Sequence, residues 1–309
     1  MGPGPDAAPG SASGVFVFNS NLRGDDARNY VATMAQLDAV LAASSAFVSQ
    51  ALDAPAPNSP MGIAYQKMLR DPYEQSGLLW MSSEDHLRTV LMILQSNLLP
   101  MFSPYSLLRP AAEADVRMAY LLDASINERD RLARGLNVRF ESLREQNKVK
   151  PDPPRFAQRT AHIEKRATDN GIAPVRSNPK KGAPELTGFS EAIRSEVDLF
   201  KTYHAGGELI YRLLSSHVHA RPWAWLDPQK AIPTAERGVS RLKAELDIPL
   251  YVSVLVLTLK THEKAVVGFL ELGGRTQAEW EVAKKAALDQ VRPRYMALLK
   301  PATQSSPPT

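Results

Sequence analysis

Asp247-Ile248-Pro249-Leu250-Tyr251-Val252-Ser253-Val254-Leu255-Val256-Leu257-Thr258-Leu259-Lys260-Thr261-His262-Glu263-Lys264 is the stretch on which the fold class turns. Residues 252–259 form the one run enriched in β-branched side chains, so here a buried strand competes with a buried helix. The flanks decide for helix. Asp247 offers a capping oxygen to free amides, and Pro249 falls near the first helical position, where no amide is needed. Behind the apolar run, Lys260 to Lys264 carry the segment past the usual length of a strand.

Outward from this stretch the pattern stays helical. Helices are expected at about 26–53, 82–98, 104–122, 126–147, 153–169, 188–219, 235–246, 249–271 and 277–298. Ser82 with Asp85, Ser125 with Glu128 and Thr276 with Glu279 have capping-box spacing, and Ser103 precedes Pro104 at a further start. Pro110 should bend its helix or mark its beginning. Residues 53–60, 149–154 and 171–188 carry prolines and glycines and read as linkers or long loops. The expected architecture is all-α: one antiparallel helical bundle over 26–300, with a basic helical insertion at about 129–187. Tails at 1–25 and 301–309 have the composition of disorder.

The chain has 309 residues, 44% hydrophobic and 23% charged, which is ample for a sizeable core. It has no cysteine, which excludes disulfides, thiolate metal sites and a cysteine nucleophile. A cytoplasmic location is the corresponding expectation, since residues 1–14 lack a basic start and an apolar run. The apolar run at 250–259 is too short to cross a bilayer, which needs about 20 residues, so no membrane insertion is expected. The net charge of +4 is uneven: residues 129–181 hold 14 Lys/Arg against 6 Asp/Glu, a local +8 that leaves −4 elsewhere. Such a block attracts phosphates or acidic surfaces, or is simply a solvated helix pair.

Chemistry is most legible in Tyr203-His204-Ala205-Gly206-Gly207-Glu208-Leu209-Ile210-Tyr211-Arg212-Leu213-Leu214-Ser215-Ser216-His217-Val218-His219. With Glu208 as origin on a helical wheel, Tyr211, Arg212, Ser215 and His219 fall at about 300°, 40°, 340° and 20°, and His217 at about 180°. One polar stripe therefore joins Arg212 to His219. Histidine moves protons near neutral pH and arginine holds a phosphate, a combination suited to metal-free cleavage of a phosphodiester by the RNA 2′-hydroxyl. The plainer alternative is a Glu208–Arg212 surface pair, with His219 close to a helix C-terminus. Arg109, Glu113 and Arg117 form an i,i+4 ladder that a bundle could set against this stripe, with Glu113 orienting Arg212 or His219. Arg129, Arg131 and Arg134 could extend a phosphate-binding surface.

Arg212 with His219 has R-x6-H spacing, and Arg212 with His217 has R-x4-H spacing. In this the segment resembles the HEPN superfamily of helical bundles. The resemblance extends to Arg109 and Glu113 as an Arg-x-x-x-Glu helix and to Tyr211, Ser215 and His219 as Tyr-x-x-x-Ser-x-x-x-His, followed by Arg221-Pro222-Trp223, as in a group of bacterial all-helical proteins. It implies Arg212 and His219 as catalytic residues, Arg109, Glu113, Tyr211 and Ser215 as binding residues, RNA as partner and a homodimer as the assembly. Other HEPN members are non-catalytic RNA-binding or assembly modules. Leu213 departs from the polar residue often found after the arginine in active ribonucleases.

No cofactor or metal is called for. His217 and His219 would point about 160° apart on a helix. His86 reads as a helix-start histidine, and His162 and His262 lie in charged stretches. Trp223 and Trp225 suit either base stacking or the closing of a bundle end. Gly206-Gly207 suggests a close helix approach or a kink.

Overall fold

The computed structural model describes residues 24–96, 100, 102–177, 184–219, 221, 231–233, 240–242 and 247–299. The fold is all-α, with ten helices among the described residues. They are α1 (Gly24–Asp53), α2 (Pro60–Gln66), α3 (Asp71–Gln95), α4 (Ser103–Leu121), α5 (Glu128–Val149), α6 (Pro153–Asp169), α7 (Glu196–Tyr203), α8 (Gly207–Val218), α9 (Ile248–Leu272) and α10 (Gln277–Ala297). Short strands β1 (Pro174–Arg176), β2 (Leu186–Phe189) and β3 (Glu191–Ala192) form an antiparallel sheet in that order, and β4 (Ala231–Pro233) pairs with β5 (Ser240–Leu242).

The deciding stretch is α9. Asp247 caps it by accepting from the Leu250 amide at 3.0 Å, and Pro249 lies in its first turn. The Thr276–Glu279 capping box starts α10. Elsewhere local signals misplaced the helix starts. Ser82, Asp85 and His86 lie inside α3, which begins at Asp71 with Pro72 in its first turn. Asn127, not Ser125, caps α5 by accepting from the Asp130 amide, while Ser125 turns back to Asp123. Ser59 caps α2 inside a region expected to be linker. The helix expected at 188–219 is the end of β2, then β3, α7 and α8, and the one expected at 235–246 contains β5 at 240–242, its other residues lying outside those described.

α4 is central, packed against α3, α9, α8, α7 and α5, and its interior Pro110 leaves the helix continuous. α1 packs on α10, α9 and α3. It is also the one described helix long and apolar enough to cross a bilayer, but 61% of its most apolar window is buried within the bundle. Leu37, Leu87, Leu108, Tyr251 and Phe269 are among the fully enclosed side chains of this core.

A smaller core joins α5, α6 and the three-stranded sheet through Leu136, Phe140, Ile163 and Phe189. It is fixed to the bundle by contact and by charge. At Gly135 a Cβ would stand 2.7 Å from the Pro72 nitrogen, so only glycine allows α5 to approach α3 this closely. Buried Asp71 at the head of α3 takes Arg139 of α5 at 2.6 Å and Arg166 of α6 at 2.5 Å. The basic stretch is therefore helical as expected, with a sheet that alternation did not reveal because its strands are only two to four residues long.

Candidate functional site

The polar stripe sits on α8, and the turn before α8 sets its direction. Ser195 caps α7, which closes at His204. Gly206 follows, where a Cβ would come 2.2 Å from Ile210 Cγ1 and 3.1 Å from Leu257 Cδ1 of α9. Gly207 adopts φ +58°, a conformation glycine takes without steric cost. The glycine pair thus gives both a helix break and a close approach. The Ala205 amide donates to Thr261 Oγ1 on α9 at 3.1 Å, which fixes the junction to the bundle.

Along α8, Arg212 and His219 are exposed on the outer face, and Arg212 keeps 67% of its side-chain surface. His219 is the residue that closes α8, its amide donating to Ser215 O at 3.0 Å. Arg212 Nε donates to Glu208 Oε1 at 2.7 Å, and Lys201 reaches Glu208 at 3.1 Å. Hydrogen bonds first from Arg212 and then from Lys201 hold the Glu208 carboxyl below its ordinary pKa. The surface pair foreseen as the plainer alternative is present.

Inward from the stripe, the Arg109 guanidinium lies 4.3 Å from the centre of the Tyr211 ring, and that ring meets Phe200 edge-on at 5.2 Å. Arg109 is buried and its Nε donates to Glu113 at 2.6 Å. Arg109, Glu113 and Tyr211 are therefore brought together, with Ser215 half-buried on the same helix. Glu113 does not orient Arg212, because each arginine already has its own carboxylate. Arg117 leaves the ladder altogether: it donates to Glu196 of α7 at 2.7 Å and to Glu141 of α5 at 2.8 Å.

The two histidine registers separate cleanly. His217 stacks on Tyr105 of α4, centroids 4.1 Å apart and planes 5° apart, and burial lowers its pKa. It faces the α4–α8 seam, whereas His219 shares the outer face with Arg212.

The basic stretch is largely occupied with its own structure. Buried Arg131 and Arg134 donate to the carbonyls of Asp123 and Tyr120 at 2.8 and 2.7 Å, neutralising the end of α4 rather than extending a phosphate surface. Arg129 donates to the Gly171 carbonyl. Arg139 and Arg166 hold Asp71, Arg176 holds Glu164 and Lys165 holds Asp169. α8 packs on α4 and α7, whereas α6 packs on α5 and β1. Lys180, Lys181, Trp223 and Trp225 lie outside the described residues.

One constellation escaped the reading of the sequence. His262 of α9, Asp115 of α4 and Ser83 of α3 are fully buried together: His262 Nδ1 is 2.9 Å from Asp115 Oδ1, to which Ser83 Oγ donates at 2.6 Å. Burial opposes the charge on His262, but the Asp115 carboxylate prevails and its pKa is raised. Nothing in sequence spacing joins residues 83, 115 and 262. The available signal was the position of His262, one turn from Leu259 and from Val266 on a buried face. Among the described residues no group of three or more side chains converges as a metal site.

Neither a family model, nor a curated protein, nor a solved structure matches this chain.

Proposed function

We propose that this protein engages RNA through the outer face of α8, with Arg212 as phosphate ligand and His219 as the group placed for proton transfer, in the manner of HEPN bundles. One observation carries the reading: Arg212 and His219 are both exposed on one helical face, while the competing His217 is stacked away against Tyr105. Arg109, Glu113 and Tyr211 form a fixed platform beneath that face. The same resemblance implies a second copy of the chain as the assembly partner.

A non-catalytic binding role for the same face draws support from Glu208, which already takes the Arg212 guanidinium. Cleavage requires Arg212 to exchange that carboxylate for phosphate. The deciding experiment is incubation of labelled single-stranded RNA with purified protein in EDTA, comparing wild type with Arg212→Ala and His219→Ala. Cleavage lost in both variants establishes a metal-independent ribonuclease. Retention of RNA by wild type without cleavage, weakened by Arg212→Ala, establishes the binding role, and neither retention nor cleavage overturns the RNA reading.

A further inference from the structure

The turn that launches α8 contains a titratable group whose hydrogen bond exists in one protonation state only. His204 is 95% enclosed, having 5% of its surface exposed, and its ring stacks on Phe200 at 5.1 Å with planes 16° apart. Its Nδ1 accepts the Gly206 amide at 2.9 Å, and its own carbonyl accepts the Gly207 amide at 3.0 Å. Accepting at Nδ1 places the proton of the neutral ring on Nε2. A second proton would turn Nδ1 into a donor aimed at another donor, in a largely enclosed place.

We propose that His204 is an acid-sensitive latch: its neutral imidazole holds the Gly206–Gly207 turn against α9, and protonation releases the seat of α8. The geometry gives the latch leverage. Gly206 packs on Leu257, and the neighbouring Ala205 amide is bonded to Thr261, so loss of the turn frees the start of α8 from α9 and leaves the helix held by α4 and α7. The charged groups around the turn do not stabilise an imidazolium. On α7 and α8, Lys201 and Glu208 neutralise each other at 3.1 Å; on α9, Lys264 lies 5.9 Å from the Tyr203 ring centre; on α4, Arg109 is matched by Glu113. Burial alone therefore governs the ring and lowers its pKa to about 4. The inference concerns how α8 is held and is independent of whether RNA is its ligand.

The test is NMR on the full chain between pH 7 and pH 3.5. The imidazole nitrogens of His204 report its tautomer and titration, and hydrogen exchange, corrected for intrinsic rates, reports the protection of the Gly206 amide and α8. Wild type should show an Nε2–H ring that titrates near pH 4, with α8 opening more often by about two orders of magnitude as pH falls from the open-state value near 6.5 to that titration, while α4 stays protected. His204→Asn keeps an acceptor for the Gly206 amide and cannot be protonated, so α8 should stay protected through the same range. His162→Asn, at an exposed histidine, is the control and should behave as wild type. A His204 ring that titrates at the ordinary histidine value, or acid opening of α8 that persists in His204→Asn, overturns the proposal. If His204→Asn does not fold, the wild-type profile decides: opening of α8 that does not rise between about pH 6.5 and 4 and level off once the His204 ring is protonated overturns it equally.

Discussion

Two histidine sites along α9, one within it and one in the turn packed on it, show how one residue type is put to opposite electrostatic use. His262 lies wholly inside the bundle but faces the Asp115 carboxylate, so the interior favours its charged form and raises its pKa. His204 is almost as enclosed and faces a backbone amide, so the interior favours its neutral form and lowers its pKa to about 4. Burial is similar; the partner is what differs. The comparison teaches that enclosure does not settle the charge of a side chain until the atom opposite is known.

The largest effect expected from breaking the contrast is at the charged site. Asp115→Ala leaves His262 enclosed without its counter-charge and frees the Ser83 hydroxyl, and should cost about 3–5 kcal/mol of stability at pH 7. Urea unfolding measures this, and a loss under about 1 kcal/mol would show that the pair contributes little. The histidine itself gives the sign of the pH dependence. Its folded-state pKa is raised, so its stabilisation is complete below the unfolded value near 6.5 and is lost as pH rises through the folded value. Urea midpoints taken from pH 6 upward should therefore decline, and His262→Gln should flatten that decline.

At the neutral site the sign reverses. The folded-state pKa of His204 lies below the unfolded value near 6.5, so its contribution is complete above that value and lost as pH falls through about 4. The shift corresponds to an effect on the order of 3 kcal/mol. Wild type should lose stability across this interval by that much more than His204→Asn. Equal acid sensitivity in the two proteins would erase the contrast between the histidines.

A third charged site links the bundle to the smaller core. Asp71→Asn keeps a polar group but removes the charge that holds Arg139 and Arg166, which are each roughly a third exposed. Because water screens both arginines, about 2 kcal/mol is expected, less than at Asp115. Hydrogen exchange should show this loss first in α5, α6 and β2 rather than in α9.

These sites also mark how far the sequence could be read. Helix type was legible wherever apolar spacing ran for several turns, as in α9, and the Thr276–Glu279 cap located α10 because both halves of its box are local. Ser82 and Ser125 misled because cap-like spacing also occurs within helices and loops, where it carries no consequence. The α8 stripe was legible because its members are three or four residues apart on one helix. Arg109 over Tyr211 could be anticipated only as a meeting of two helices; the Arg109–Glu113 pair followed from its i,i+4 spacing, whereas the turn of Arg117 to Glu141 and Glu196 did not. The pairing of His262 with Asp115 was not legible at all, since it depends on which faces of α4 and α9 meet. The acceptor role of His204 depends on a turn two residues long, whose geometry the glycines permit without specifying.

The smallest stability effect belongs to the α8 face and bears most directly on function. Glu208 is a carboxylate at the surface shared by Lys201 and Arg212, and solvent-screened pairs of this kind contribute little to stability. Glu208→Gln should therefore leave thermal unfolding nearly unchanged, in contrast to Asp115→Ala. If the face binds RNA, the same substitution should tighten binding, because Arg212 and Lys201 no longer have to give up a carboxylate before meeting phosphate. Each cation so released adds about 0.7 to the steepness of the logarithmic dependence of binding on salt for single-stranded RNA. Titrations at several salt concentrations would show a steeper slope in Glu208→Gln than in wild type, and Arg212→Ala would remove most of the difference. A slope unchanged by Glu208→Gln would mean that the guanidinium does not meet the backbone, leaving Glu208–Arg212 as a surface pair that steadies α8 without taking part in recognition.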